Sequence, residues 1–305
     1  MVSVSVLVRG REGWYNARAR IQKSLEKMRL QYTSSDSRSP AGISPGNRRR
    51  LTILHRAARG PFTIDEAVAA LQLDRQRTAK LLAHWTAQGW LVRIRAGVYL
   101  TVPLEADSPT SWVEDAWAVL SRVFEPCYIG GWSACEHWGF TEQLFRDVVV
   151  FTAKPIRRRA GEIQGMPYIA KAIPEAKLFG TRRVWRREVP VNVSDPSRTI
   201  VDVLDEPRIG GGMRHVADVV AAYFASEHRN DDDLLSHIQR IGNRTVYKRL
   251  GFLIEGLGID SPQLVSECLA LQSSGYSKLD PEGPDQGKLI RRWRLRENVQ
   301  IQRVA

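Results

Sequence analysis

Five side chains with hydrogen-bond donors, Arg75, Gln76, Arg77, Lys80 and His84, recur on the polar side of a segment whose apolar positions are Leu81, Leu82 and Trp85. A guanidinium or ammonium group can donate to the O6 and N7 acceptors of guanine, and a carboxamide can pair bidentately with adenine. This row therefore has the chemistry of base-edge readout. Arg93 and Arg95, separated by one residue, suit phosphates or a narrow minor groove, and the run Arg48, Arg49, Arg50 suits phosphates.

Catalytic patterns are weaker. A nucleotidyltransferase needs a Gly-Ser turn followed by paired carboxylates that hold the metals bridging a triphosphate. Here Gly131-Trp132-Ser133 is followed by Asp147-Val148-Val149, with no second acid. A metal-dependent nuclease needs an Asp and a downstream Glu-x-Lys on paired strands. Asp147 with Glu175-Ala176-Lys177 meets that spacing loosely, and a nuclease targeted by the basic segment is the alternative reading. Neither a Walker-type phosphate loop nor a Gly-x-Ser-x-Gly elbow is present. The six histidines lack the i, i+4 spacing of helix-borne metal ligands, and the cysteines Cys127, Cys135 and Cys268 form no Cys-x-x-Cys pair. No catalytic residue, metal ligand or cofactor is assigned.

The elements that must position the basic row can be read locally. Residues 47–59 have a helical pattern with Leu51, Ile53, Leu54 and Ala57 available for burial, stopped by Gly60-Pro61. Thr63 and Glu66 form a Thr-x-x-Glu capping box for a helix over 64–71. After the turn Gln72-Leu73, Asp74 caps a longer helix over 75–88, which Gly89 can close in the left-handed conformation. Residues 90–95 and 98–102 alternate as strands around the tight turn Ala96-Gly97. Three helices and a hairpin in this order predict a winged helix-turn-helix, whose third helix enters the major groove.

The charge distribution agrees. The chain of 305 residues carries +12 overall, yet residues 1–110 hold 18 Lys and Arg against 8 Asp and Glu, leaving 27 against 25 for the rest. A concentrated positive field neutralises phosphates, whereas an even excess mainly affects solubility. Ordinary apolar and charged fractions, 43% and 26%, exclude a wholly disordered chain, and the length fits about two cores. No apolar run reaches the ~20 residues of a membrane span. The odd thiol count suits a reducing, cytoplasmic and nucleoid-associated location.

Three regions are expected: a basic arm and linker over 1–46, the winged domain over 47–103, and an α/β effector domain over 111–305. The arm has an alternating strand pattern over 2–8 and a basic helical one over 15–30, and a second linker spans 103–109. Further on, helical patterns cover 112–124, 213–224, 232–241, 245–257 and 262–272. Strand patterns cover 148–152, 168–173 and 189–193, and 288–299 is basic and alternating. The fold class is thus α+β: a winged helix-turn-helix followed by a mixed α/β domain with a helix-rich C-terminal part. Asp231-Asp232-Asp233 is expected to cap the helix that follows, and Ser194 the helix leading to Asp202. Ser133-Ala134 through Trp138-Gly139 is expected to be a small-faced helix with a glycine stop.

Three stretches carry a family resemblance. They are the run from Gly130-Gly131-Trp132-Ser133-Ala134-Cys135-Glu136-His137-Trp138-Gly139-Phe140 to Thr141-Glu142-Gln143 with the strand Val149-Val150-Phe151-Thr152, the run Val193-Ser194-Asp195-Pro196-Ser197-Arg198-Thr199-Ile200-Val201-Asp202, and Gly210-Gly211-Gly212. In order and spacing they resemble the AbiEi family, the antitoxins and transcriptional regulators of type IV toxin–antitoxin systems. The resemblance implies an N-terminal winged domain that binds inverted repeats in double-stranded DNA of its own promoter, and a C-terminal domain that neutralises a nucleotidyltransferase toxin without a stable complex. Residues 1–46 and the basic closing stretch extend beyond the family pattern.

Overall fold

A computed structural model describes residues 44–58, 60–102 and 114–301. The arm patterns at 2–8 and 15–30, the linker at 103–109 and the first residues of the 112–124 helix lie outside the described residues. Ten α-helices and three sheets make the described part a mixed α+β structure.

Ser44 accepts a hydrogen bond from the Asn47 amide and Pro45 supplies a preset φ, so helix α1 (Pro45–Ala57) begins two residues before the expected start. Its inner face carries Leu51, Leu54 and Ala58. Ile53, expected inside, is 49% exposed because it falls away from the Leu51–Leu54 side of the 3.6-residue repeat, and Ala57, though one turn from Leu54, is exposed beside a cleft. The Thr63–Glu66 capping box forms in full at α2 (Ile64–Leu71). Gln72, at φ 52°, turns the chain, and Asp74 then caps α3 (Arg75–Ala87) by accepting from the Arg77 amide.

Strands β2 (Leu91–Arg95) and β3 (Val98–Thr101) pair antiparallel around Gly97 at φ 79°, with an irregularity between Arg93 and Arg95. An unanticipated two-residue strand, β1 (Phe62–Thr63), adds to the other side of β3. His55 Nδ1 lies 2.9 Å from Thr101 Oγ1 and ties α1 to that sheet. Leu54, Phe62, Leu82, Trp85 and Leu91 fill the small core between.

The second part is built on a six-stranded mixed sheet, in the order β6-β7-β5-β4-β9-β8. Its strands are β4 (Cys127–Ile129), β5 (Val148–Thr152), β6 (Ala160–Ile163), β7 (Met166–Ala172), β8 (Thr181–Arg186) and β9 (Val189–Ser194). The apolar run of β5 is explained by cover on both faces. Val150 meets Val119, Leu120 and Val123 of α4 (Ala116–Phe124), whereas Val149 and Phe151 meet Tyr128, Trp132 and Ile209. Helix α5 (Gly131–His137) follows β4 and ends at Gly139, φ 72°, as its pattern predicts.

The largest core belongs to α6 (Pro196–Asp205), α7 (Met213–Ala225), α8 (Asp231–Ile241), α9 (Thr245–Gly256) and α10 (Pro262–Leu271). Two caps differ from expectation. Asp195, not Ser194, caps α6 through the Arg198 amide, because Ser194 is still the last residue of β9. Asn230, not the aspartate triplet, caps α8 by accepting from Asp233; the three aspartates form the first turn, where they face the positive end of the helix dipole. The closing basic stretch contains β11 (Lys288–Ile290) and β12 (Leu295–Glu297), joined to β10 (Ser277–Lys278) in a small sheet.

The turn between β11 and β12 drives Trp293 into the core, where its indole donates to Glu255 at 2.6 Å and its ring covers Gly251 of α9. A β-carbon at Gly251 would collide with that ring, and Trp293 has no open side to move into. Gly251→Ala is therefore expected to lower stability by about 1–3 kcal/mol despite its better helix propensity, measured as the midpoint shift in urea unfolding.

Candidate nucleic-acid interface and the buried network behind it

Thr78, Leu82 and Trp85 form the buried stripe of α3 and anchor it on the small core. That stripe includes Thr78, which reading the segment for apolar residues overlooked, while Leu81 is only half-buried. The opposite side presents Gln76, Arg77, Lys80 and His84, all exposed, whereas Arg75, exposed as well, lies at the end of the helix in line with Thr78 and Leu82 and so off that face. Two of them carry local partners. Arg75 pairs with Asp65 of α2, and Arg77 Nε lies 3.2 Å from the cap carboxylate of Asp74. Both pairs are solvent-exposed and hold their arginines weakly. Lys80 makes no hydrogen bond or ion pair among the described residues, and His84 sits edge-on to Trp90 at 6.2 Å between ring centres.

The hairpin bearing Arg93 and Arg95 is asymmetric. Both arginines are exposed, and Ile94 between them packs against the sheet and α4 of the second part. Arg48, Arg49 and Arg50 are exposed on the first turns of α1, which packs on α2. The expected contact residues thus fall into an exposed group on α3, with Arg75 at its edge, a pair on the hairpin and a separate group on α1.

Two parts of the chain meet around Arg122 of α4. Its guanidinium pairs with Glu66 of α2 and, at 2.7 Å, with Glu125, while Val189 sits against Gly60. A cleft of about 450 Å³ remains there, walled by Leu54 and Phe62 on one side and by Val189, Pro190 and Cys127 on the other. Burial, helped by the charge of Glu125, pushes the Cys127 thiol up to about 12.

The residues of the family resemblance converge elsewhere, on buried tie points. Trp132 donates its indole N–H to Asp147 O at 2.6 Å, Ser133 Oγ accepts from the Val149 amide at 3.1 Å, and Trp138 donates to Ser194 O at 2.8 Å. At the centre is Arg198, 1% exposed. It donates to Asp202 at 2.8 Å, to the Tyr128 hydroxyl at 2.8 Å and to Phe179 O at 3.3 Å, and the same hydroxyl donates to Asp202 at 2.9 Å. Burial raises the Asp202 carboxyl above its ordinary range, against the pull of Arg198 and Tyr128. For Arg198 burial opposes the charge, but Asp202 and Tyr128 outweigh it and hold the guanidinium above its usual value. Sequence patterning missed this network, since a charged residue at i and i+4 reads as a solvated helix face.

The nuclease alternative loses its geometry. Val148 pairs with Tyr168 in parallel register, so Asp147 precedes β5 at one end of the strands. Glu175–Lys177 is a 3₁₀ turn beyond the other end of β7, not a strand. At ~3.3 Å per residue the five-residue length of β5 alone separates the two ends by roughly 15 Å, too far for the two acids to share a metal. A comparison with protein-family models finds no match to this chain, and a search of curated proteins finds none either.

Replacing Asp202 by Asn keeps the shape of the side chain but leaves the Arg198 charge buried without its counter-ion. The expected cost is about 3–5 kcal/mol of folding stability, measured by urea or thermal unfolding; a loss under about 1 kcal/mol would show the pair to be dispensable.

Proposed function

We propose that this chain is a winged helix-turn-helix DNA-binding repressor of its own operon and the antitoxin of a type IV pair whose toxin is a nucleotidyltransferase. The observation that carries the DNA-binding half is the exposed row Arg75, Gln76, Arg77, Lys80 and His84 on a helix anchored by Thr78, Leu82 and Trp85. Helix α3 is the third of three, is preceded by a tight turn and is followed by an arginine-bearing hairpin, the arrangement in which a recognition helix and a wing are presented to duplex DNA. In this reading α3 reads base edges in the major groove, Arg93 and Arg95 meet the backbone or minor groove, and Arg48, Arg49 and Arg50 hold phosphates.

The antitoxin half rests on the resemblance of residues 130–212 to the AbiEi family. In this reading those residues keep the second part folded around Arg198, and the effect on the toxin needs no stable complex. The chain works without a cofactor and without catalysis of its own, in the cytoplasm at the nucleoid. The separation of Asp147 from Glu175 supports a non-nuclease role.

Footprinting on the region upstream of the chain's own gene is expected to reveal an inverted repeat. Arg77→Ala and Lys80→Ala are each expected to weaken that binding by about 1–3 kcal/mol, and log affinity is expected to fall linearly with log salt. Unchanged footprints in both variants would overturn the assignment of α3. Co-expression with a nucleotidyltransferase encoded by the adjacent gene is expected to restore growth that the toxin alone arrests.

A further inference from the structure

Residues 181–187 read Thr-Arg-Arg-Val-Trp-Arg-Arg, four arginines and a tryptophan inside the half of the chain whose total charge is close to neutral. They form β8, the outermost strand of the six-stranded sheet among the described residues, and the turn after it. Alternation sends these side chains to two faces. On the inner face Arg182 lies 5.6 Å from the Trp138 ring, Arg186 lies 3.9 Å from the Trp117 ring, and Val184 joins the core. Those two arginines are held by aromatic rings and belong to the fold.

The outer face is different. Trp185 is 64% exposed, and Arg183, two residues before it, is exposed and makes no hydrogen bond or ion pair among the described residues. Their cross-strand partners, Pro190 and Asn192, are exposed too. Arg187, at φ 53° in the turn, reaches Glu114 at 3.3 Å yet stays 65% exposed.

Charge on an edge strand protects it from pairing with another chain, and that accounts for the arginines. It does not account for the tryptophan, which raises the stickiness that edge charges suppress. Nor does the fold need it, since most of the indole surface stays in water. A flat exposed indole beside the free guanidinium group of Arg183 matches a ligand that offers a π-face next to a negative charge. Duplex DNA hides its base faces inside the stack, so the complementary ligand is an unpaired strand.

We propose that the outer face of β8 binds unpaired nucleic acid, Trp185 stacking on a base while Arg183 holds a flanking phosphate. This surface is separate from the α3 row and does not depend on the duplex reading.

The test is fluorescence anisotropy of the full chain with labelled 20-mers of oligo(dT) and oligo(rU), and with a duplex of equal length. Both single strands are expected to bind, with Trp185→Ala weakening them about tenfold or more and Trp185→Phe restoring most of the loss. Arg183→Ala is expected to reduce the salt slope by about 0.7. A preference for oligo(rU) would add a ribose hydroxyl contact to the same site, and equal binding would confine it to base and phosphate. The double variant R77A/K80A is expected to lose duplex binding while keeping single-strand affinity within about twofold. Binding of the duplex alone, wild-type single-strand affinity in folded Trp185→Ala, or loss of single-strand binding in R77A/K80A would each overturn the proposal.

Discussion

One buried charge organises the larger part of this molecule. The Arg198 guanidinium sits on α6, yet its partners are the hydroxyl of Tyr128 on β4, the carboxylate of Asp202 one turn along and the carbonyl of Phe179 before β8. Burying such a group without partners is prohibitive, so the strand, the helix and the loop can reach their native places only together. The ring of Phe179 lies between Arg198, at 4.2 Å, and Arg240 of α8, at 3.5 Å, and Asp195, the cap of α6, is 3.0 Å from His237 of α8. The sheet and the helical core are thereby joined through a few polar atoms rather than through apolar contact alone. A network of this kind has one satisfied arrangement, which favours a unique register over a merely compact one.

In the first part the order is reversed. Its core is apolar apart from the hydroxyls of Thr78 and Thr101, and its charges are outside. That division is what lets α3 display Gln76, Arg77, Lys80 and His84 on one side while Leu82 and Trp85 hold its opposite side fixed. The capping box on α2 and the Asp74 cap on α3 set where each helix begins, and hence which residues reach the exposed side. Ile94 and the Arg122–Glu66 pair then dock this part on the second, so the hairpin arginines are carried on a strand that is packed on one side.

Much of the local architecture was legible in the residues. The capping box, the Asp74 cap, the turn glycines Gly89 and Gly97, and the continuous apolar run of β5 were all readable, because each depends on neighbours a few positions away. The caps at Ser194 and Asp231 were misplaced by one residue for the same kind of reason. Several capping side chains stood in a row, and only the end of β9, or the bond from Asp233 to Asn230, selects among them. The exposure of the five α3 side chains was readable, and helical periodicity separates four of them from Trp85, while Arg75 falls in line with Leu82. Their ion pairs were not, as Asp65 lies on a different helix.

Composition and pattern by themselves determined that this chain folds into an α+β structure with its basicity toward the N-terminal side, and where the helices of its first part begin. Only the tertiary structure decided that Arg198 and Asp202 are core residues, that Asp147 and Glu175 stand at opposite ends of their strands, and that Trp185 is left in water on an edge. The physical reason is the range of the forces that place them. Caps and periodicity act within a turn or two, whereas the bond from Tyr128 to Asp202 spans 74 positions and exists only after the sheet has closed. A near-neutral total likewise conceals three arginines on one strand and a fourth in the turn after it, because net charge is a sum over the chain and recognition depends on where on the surface the charges stand.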